Sequence, residues 1–171
     1  MKNIYLIGMM GSGKTIVAKA LAHEMMLHVE DLDERIVERE KRSINDIFAA
    51  SGEDYFRRVE HEVLSDISKQ DNIVVATGGG IILDPKNIAC MQNTGVMVYL
   101  QAPTDVLVSR LQNETDRPLL KTVSPADTLN DIYLKRRSLY EKAQYVINTT
   151  DKKPFEIAAE IIEMLAQEGK L

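Results

Sequence analysis

The residues most able to do chemistry lie near the start of the chain. Gly8-Met9-Met10-Gly11-Ser12-Gly13-Lys14-Thr15 reads G-x-x-x-x-G-K-T, the pattern of a phosphate-binding loop. Gly8, Gly11 and Gly13 lack a Cβ, so the backbone can take positive φ and close on a polyphosphate. Successive N–H groups then point inward as an anion nest, at the positive end of the helix that follows. Lys14 sets a cation against the β- and γ-phosphates. The Thr15 hydroxyl suits Mg²⁺, a hard ion that prefers oxygen. Such a loop needs a strand before it and a helix after it. Ile4-Tyr5-Leu6-Ile7 is a short apolar run, and residues 16–22 are apolar and free of Gly and Pro.

Other groups could serve the same site. Residues 27–31 are the next strand candidate, followed by Leu32-Asp33, which puts Asp31 and Asp33 at its carboxyl end. On an extended chain they project the same way, at the edge where open α/β sheets bind ligands. Beside a phosphate loop, one carboxylate would serve Mg²⁺ and the other the attacking hydroxyl. The plainer reading is a solvated turn followed by a helix N-terminus, where Asp is favoured. Gly78-Gly79-Gly80 follows the apolar run 73–77. It either lets backbone N–H groups approach something closely or is a flexible connection. That run ends without an Asp, where many P-loop ATPases keep the metal-linked carboxylate, so Asp31 is the candidate for the Mg²⁺ side.

Four arginines complete the set. Arg57 could grip a carboxylate in bidentate fashion, or pair on the surface with Glu53 or His61. Arg117 lies in the polar, Pro-containing stretch 113–121. It could fold over the phosphates and supply transition-state charge, or stay a solvated charge. Arg136 and Arg137 lie near a helix end, where cations satisfy the dipole. His23, His28 and His61 show no metal-ligand spacing with one another or with Cys90, and read as structural or surface residues.

Elements of ordinary kind would position these groups. A helix is expected over 33–41. Ser43-Ile44-Asn45-Asp46 resembles a capping box and opens a short helix to residue 50. Ser51-Gly52-Glu53-Asp54 resembles a second, after which Phe56, Val59, Val63 and Ile67 form a buried stripe with Arg57, Arg58 and Glu60 off it. A strand over 95–100 leads to a helix from Thr104 to about Leu111. Ser124-Pro125-Ala126-Asp127 then opens a long helix through Tyr140. Residues 145–148 form the last strand. Asp151 and Pro154 open a terminal helix whose Phe155, Ile157, Ala158, Ile161, Ile162 and Leu165 cover the sheet.

Composition bounds the function. With 171 residues, 44% hydrophobic and 27% charged, one domain with a real core is expected over 1–171. A net charge of −5 argues against a nucleic-acid surface. Cys90 is the single cysteine, so no internal disulfide forms and a reducing cytoplasm fits. No signal peptide and no run of about 18 apolar residues is present, so no membrane is expected.

Taken together, these motifs resemble the shikimate kinase family. The matching pieces are the phosphate loop, Asp31-Leu32-Asp33, Phe56-Arg57-Arg58-Val59-Glu60, Gly78-Gly79-Gly80, Arg117-Pro118-Leu119-Leu120 and Arg136-Arg137-Ser138-Leu139-Tyr140-Glu141, in family order. The resemblance implies a P-loop, nucleoside-monophosphate-kinase-like α/β fold: three layers around a five-stranded parallel sheet. It implies phosphorylation of the 3-hydroxyl of shikimate by ATP, on the route to chorismate and the aromatic amino acids, by an enzyme expected to act as a monomer. Carried over by position, Gly11, Ser12, Gly13, Lys14, Thr15 and Ile16 would bind ATP, with Arg110 near the adenine. Thr15 and Asp31 would hold Mg²⁺. Asp33, Arg57, the glycines 78–80 and Arg136 would bind shikimate, with residues 31–61 as its region. Lys14, Asp33 and Arg117 would be catalytic, Arg117 on a lid over 112–123. The family carries Pro two residues after its substrate-binding Arg; this chain has Ser138, and Arg136, four residues before Tyr140, matches the pattern.

Two rival readings stand beside this one. Another small-molecule P-loop kinase, gluconate-like or acting on a nucleotide, would share the loop, although no base-recognition surface is identifiable. A GTPase switch should carry N-K-x-D, which is absent from this sequence.

Overall fold

The computed structural model describes residues 2–111 and 124–170. Its strands β1 (Asn3–Ile7), β2 (His28–Asp31), β3 (Ile73–Ala76), β4 (Gly95–Gln101) and β5 (Tyr145–Asn148) form one parallel sheet in the order β2-β3-β1-β4-β5. The helices are α1 (Lys14–Met25), α2 (Leu32–Glu40), α3 (Ile44–Ile67), α4 (Pro85–Thr94), α5 (Thr104–Leu111), α6 (Pro125–Tyr140) and α7 (Pro154–Gln167).

Strand alternation splits the core into two layers. Ile4 and Leu6 of β1 face Val17, Leu21, Ile157 and Ile161 of α1 and α7. Tyr5 and Ile7 face the opposite way, into a larger cluster with Leu64, Met91, Leu107 and Tyr140. Both faces of β1 and β3 are fully buried, as their unbroken apolar runs require. The result is the three-layer α/β/α arrangement expected from the motifs. Central β1 pairs with β3 on one side and β4 on the other, Leu6 lying opposite both Ala76 and Val98. The strand order therefore reverses at β1, and the phosphate loop leaves its carboxyl end at that point.

The structure corrects several local expectations. Asp33 is not on an extended chain. β2 stops at Asp31, which caps α2 by accepting hydrogen bonds from the Asp33 and Glu34 backbone N–H groups at 3.0 and 3.3 Å. The two helices expected around residues 43–67 are both present: Ser43 Oγ accepts from Asp46 N at 3.1 Å, and non-helical Gly52 (φ 79°, ψ 174°) separates the first from the second, the two being numbered together as α3. Glu60 is not off the buried stripe: it is fully buried with Phe56, Val59 and Val63. At the far end, α7 opens on Lys153, whose N–H is bonded to Glu156 Oε2 at 2.6 Å, and Phe155 points outward. No helix among the described residues is long and apolar enough to cross a membrane.

Candidate active site

The carboxyl edge of the sheet carries two connected cavities. The larger is a cleft of about 570 Å³ over the phosphate loop. Its walls include Gly11, Gly13, Lys14, Thr15, Ile16, Asp31, Asp33 and Arg110. Gly11 holds φ +78°, and a Cβ there would meet Leu111 Cγ at 2.9 Å, so strain and crowding both exclude larger residues. Gly13 caps α1, turning that helix N-terminus towards the cleft. Lys14 Nζ donates to the carbonyls of Gly8 and Met9, both at 2.9 Å. The Ser12 hydroxyl is buried with no hydrogen-bond partner.

Thr15 and Asp31 meet across the cleft floor. Thr15 Oγ1 donates to Asp31 Oδ2 at 2.7 Å, while Asp31 Oδ1 caps α2. One carboxylate thus locks β2's end to the start of α1 and orients a hydroxyl beside it. Among the described residues, no group of three or more His, Cys, Asp or Glu converges as a metal site. Arg110 reaches back from the end of α5. It donates to Thr149 O at 2.8 Å, Thr149 Oγ1 at 3.2 Å and Gly11 O at 3.3 Å, tying the phosphate loop to the end of β5.

The second cavity is a small recess of about 90 Å³. It is lined by Ile44, Phe48 and Phe56 on one side, and by Asp33, Arg57, Glu60, Arg136 and residues 78–80 on the other. Phe48 and Phe56 pack with ring centroids 4.7 Å apart across the Gly52 kink, which folds the first turns of α3 over the recess. Arg57 lies with its guanidinium 5.1 Å from the Phe56 ring. It donates to Glu60 Oε2 at 2.7 Å, and through Nε and Nη2 to Glu53 Oε1 at 3.2 and 3.1 Å. Both sequence readings of Arg57 therefore describe one side chain: it pairs with Glu53, and it lines a cavity.

Gly78 and Gly80 leave space that charged side chains occupy. A Cβ at Gly80 would lie 2.7 Å from Arg57 Cζ. One at Gly78 would lie 2.9 Å from Glu60 Oε1 and 3.1 Å from Asp33 Oδ1. The run is bare because charged side chains lie against it. Gly79 O accepts from Tyr140 at 2.5 Å and from Arg136 Nη1 at 3.4 Å. Tyr140 stacks on Tyr99 of β4 at 5.0 Å, which fixes α6 and brings Arg136, one turn earlier, into the recess. Arg136 is buried; Arg137 faces solvent and pairs with Glu141. Burial pushes the Tyr140 hydroxyl up to about 12, so it remains a neutral donor. Burial likewise pushes the Glu60 carboxyl up to about 7, against the pull of Arg57 beside it. Arg57 is itself held above its usual value: burial disfavours its charge, but Glu60 and Glu53 outweigh that.

Cleft and recess share Met10, Asp33 and Gly79. Asp33 therefore stands where a group held in one cavity can meet a group held in the other. Arg117 and the expected lid over 112–123 lie outside the described residues. The sequence reading missed Lys19, Thr77 and Glu60 as lining residues. Thr77 sits at the ligand edge of β3 with its hydroxyl on Leu6 O at 2.8 Å. Glu60 follows Phe56 by four residues, so helical spacing already set it on the buried face.

The comparisons agree with this geometry. The family model described as shikimate kinase matches residues 10–166. The chain is 42% identical over 149 residues to a shikimate kinase of Xylella fastidiosa (strain 9a5c), covering 87% of this chain and 83% of that one. It is 40% identical over 162 residues to one of a Sulfurihydrogenibium species (strain YO3AOP1), covering 95% and 96%. A solved structure, shikimate kinase from Acinetobacter baumannii in complex with shikimate, superposes with a TM-score of 0.96 at 33% identity over 98% of this chain and 94% of that one. With fold, paired cavities and sequence in agreement over nearly the whole length, the chain belongs to the shikimate kinase family.

Proposed function

We propose that this protein transfers the γ-phosphoryl group of ATP to the 3-hydroxyl of shikimate, releasing ADP and shikimate 3-phosphate. The observation that carries the reading is the junction at Asp33, between a phosphate cleft and a recess holding two arginines. Shikimate is an anionic triol on a six-membered ring. Arg57 and Arg136 take its carboxylate, the Phe48–Phe56 wall packs its ring, and Asp33 accepts the proton of the attacking hydroxyl. The phosphate loop holds the ATP phosphates and Lys14 offsets the charge that develops on them. Arg110 lies near the adenine, and the family resemblance assigns Arg117 to the phosphates. Positioning and charge stabilisation dominate such a reaction, since phosphoryl transfer needs little covalent chemistry from the protein.

Mg²⁺ fits the residues present. Thr15 Oγ1 donates its hydrogen bond to Asp31, which leaves oxygen lone pairs of both groups for a hard cation, and water and phosphate oxygens would complete its shell. When bound, the ion would neutralise charge on the β- and γ-phosphates. The protein is proposed to work as a monomer in the cytoplasm, with the half-buried Cys90 unpaired.

At about 90 Å³ the recess is far smaller than a nucleoside, which disfavours a nucleotide acceptor. An assay of ADP formation over a panel of acceptors tests the reading. Turnover with shikimate is expected. Turnover with gluconate or a nucleoside monophosphate, and none with shikimate, would replace it.

A further inference from the structure

Among the described residues, the carboxyl groups in and beside the recess outnumber its arginines before any substrate enters. Arg57 and Arg136 supply two cations, while Glu53, Glu60 and Asp33 supply three carboxyl groups. The arrival of a substrate carboxylate at Arg57 adds a fourth. Glu53 can relieve the crowding by turning into water, because its side chain is 55% exposed. Glu60 has no such route: its side chain is 1% exposed. Its two oxygens also differ. Oε2 takes the Arg57 Nη1 hydrogen bond, whereas Oε1 is buried with no hydrogen-bond partner among the described residues. Oε1 and Asp33 Oδ1 both lie about 3 Å from the point where a Gly78 Cβ would stand. They are therefore within about 6 Å of one another, close enough for like charges to repel strongly.

We infer that binding of the acidic substrate is coupled to uptake of one proton from solvent by Glu60, at Oε1. The inference rests on the substrate reading above. The protonated carboxyl keeps Oε2 as acceptor for Arg57 and removes the buried charge that the incoming carboxylate would oppose. Every group packed against Glu60 bears on this. From α3 itself come Arg57 and, through it, Glu53. α2 contributes Asp33, and α6 contributes Arg136 and the neutral Tyr140; the β3 loop brings only glycine. The neighbouring His61 turns away to Asn87, with Nδ1 and Oδ1 2.7 Å apart. Burial, helped by Asp33, already outweighs the pull of Arg57 and Arg136 and lifts Glu60 to about 7, so one further anion is enough to tip it.

The test is calorimetric. Shikimate is titrated into the full chain at pH 7.5 in phosphate, HEPES and Tris, whose ionisation heats differ. The apparent enthalpy should rise with buffer ionisation heat, with a slope of about half a proton taken up per site. Kd should weaken about 5- to 10-fold between pH 6.5 and 8.5. In Glu60→Gln the slope should vanish and the pH dependence flatten. Asp33→Asn should keep the slope, because Glu60 remains. Binding with zero slope, or a slope that disappears with Asp33 rather than Glu60, would overturn the inference alone. Absence of shikimate binding at any pH would overturn the functional reading, and the inference with it.

Discussion

The cleft and the recess are built on opposite principles. The cleft is centred on one contiguous run that supplies glycines, N–H groups, a helix N-terminus and Lys14. Most of its attraction for anions comes with local folding. The recess is made of side chains from α2, α3 and α6, set against a bare glycine run. Its cations are held in place by carboxylates, so each charge there depends on another. Damage to the cleft should therefore be local, whereas damage to the recess should spread to the partner of whatever was removed.

Asp33 is where the two designs meet, and its removal should have the largest effect. Asp33→Asn keeps the shape and the helix position but removes the proton acceptor. A fall in kcat of about 10²- to 10⁴-fold is expected, the usual worth of a general base, with ATP affinity unchanged. Steady-state kinetics beside a nucleotide titration would check this. Near-normal turnover would detach the junction from the chemistry.

Next come substitutions confined to the recess. Arg57→Ala should raise KM for shikimate by about 1.5–3 kcal/mol, the size of a charged hydrogen-bond interaction. Gly80→Ala should mimic it without touching a charge, because the new Cβ would force the guanidinium aside. Arg137→Ala, one position from Arg136 but on the solvent side, should leave KM within about twofold, as exposed ion pairs contribute little. If Gly80→Ala behaved as wild type, the glycine run would be a flexible connection after all.

The same contrast explains how much could be read from the sequence. The phosphate loop was legible because its motif is contiguous and its physics is local. The sheet followed from apolar runs and from the family resemblance. The recess was not legible by residue type: Arg57 looked like a surface arginine, and nothing in its own segment shows that Gly80 packs on its guanidinium. Asp31 and Asp33 do converge on one cleft, but not by strand alternation. Asp31 ends β2 and caps α2, and Asp33 lies in that helix's first turn. Glu60 was misread because a charged residue was assumed to avoid a buried stripe, although its spacing placed it there.

Glu60 gives the most particular effect, one on stability and not on turnover. A glutamate normally titrates near 4.5, and burial lifts this one to about 7 in the folded chain. Between those values the folded state binds more protons than the unfolded state, so stability falls as pH rises through the window and levels off above it. The full shift corresponds to about 3 kcal/mol as an upper bound, or several degrees in Tm for a chain of this size. Glu60→Gln cannot titrate, so it lacks this loss. Whatever constant cost the amide brings beside Arg57, the Tm of the variant relative to wild type should improve by several degrees between pH 5 and pH 8. A gap that stayed constant would mean Glu60 is ionised throughout. The recess would then keep all its carboxylates charged, and its difference from the cleft would lie in geometry alone.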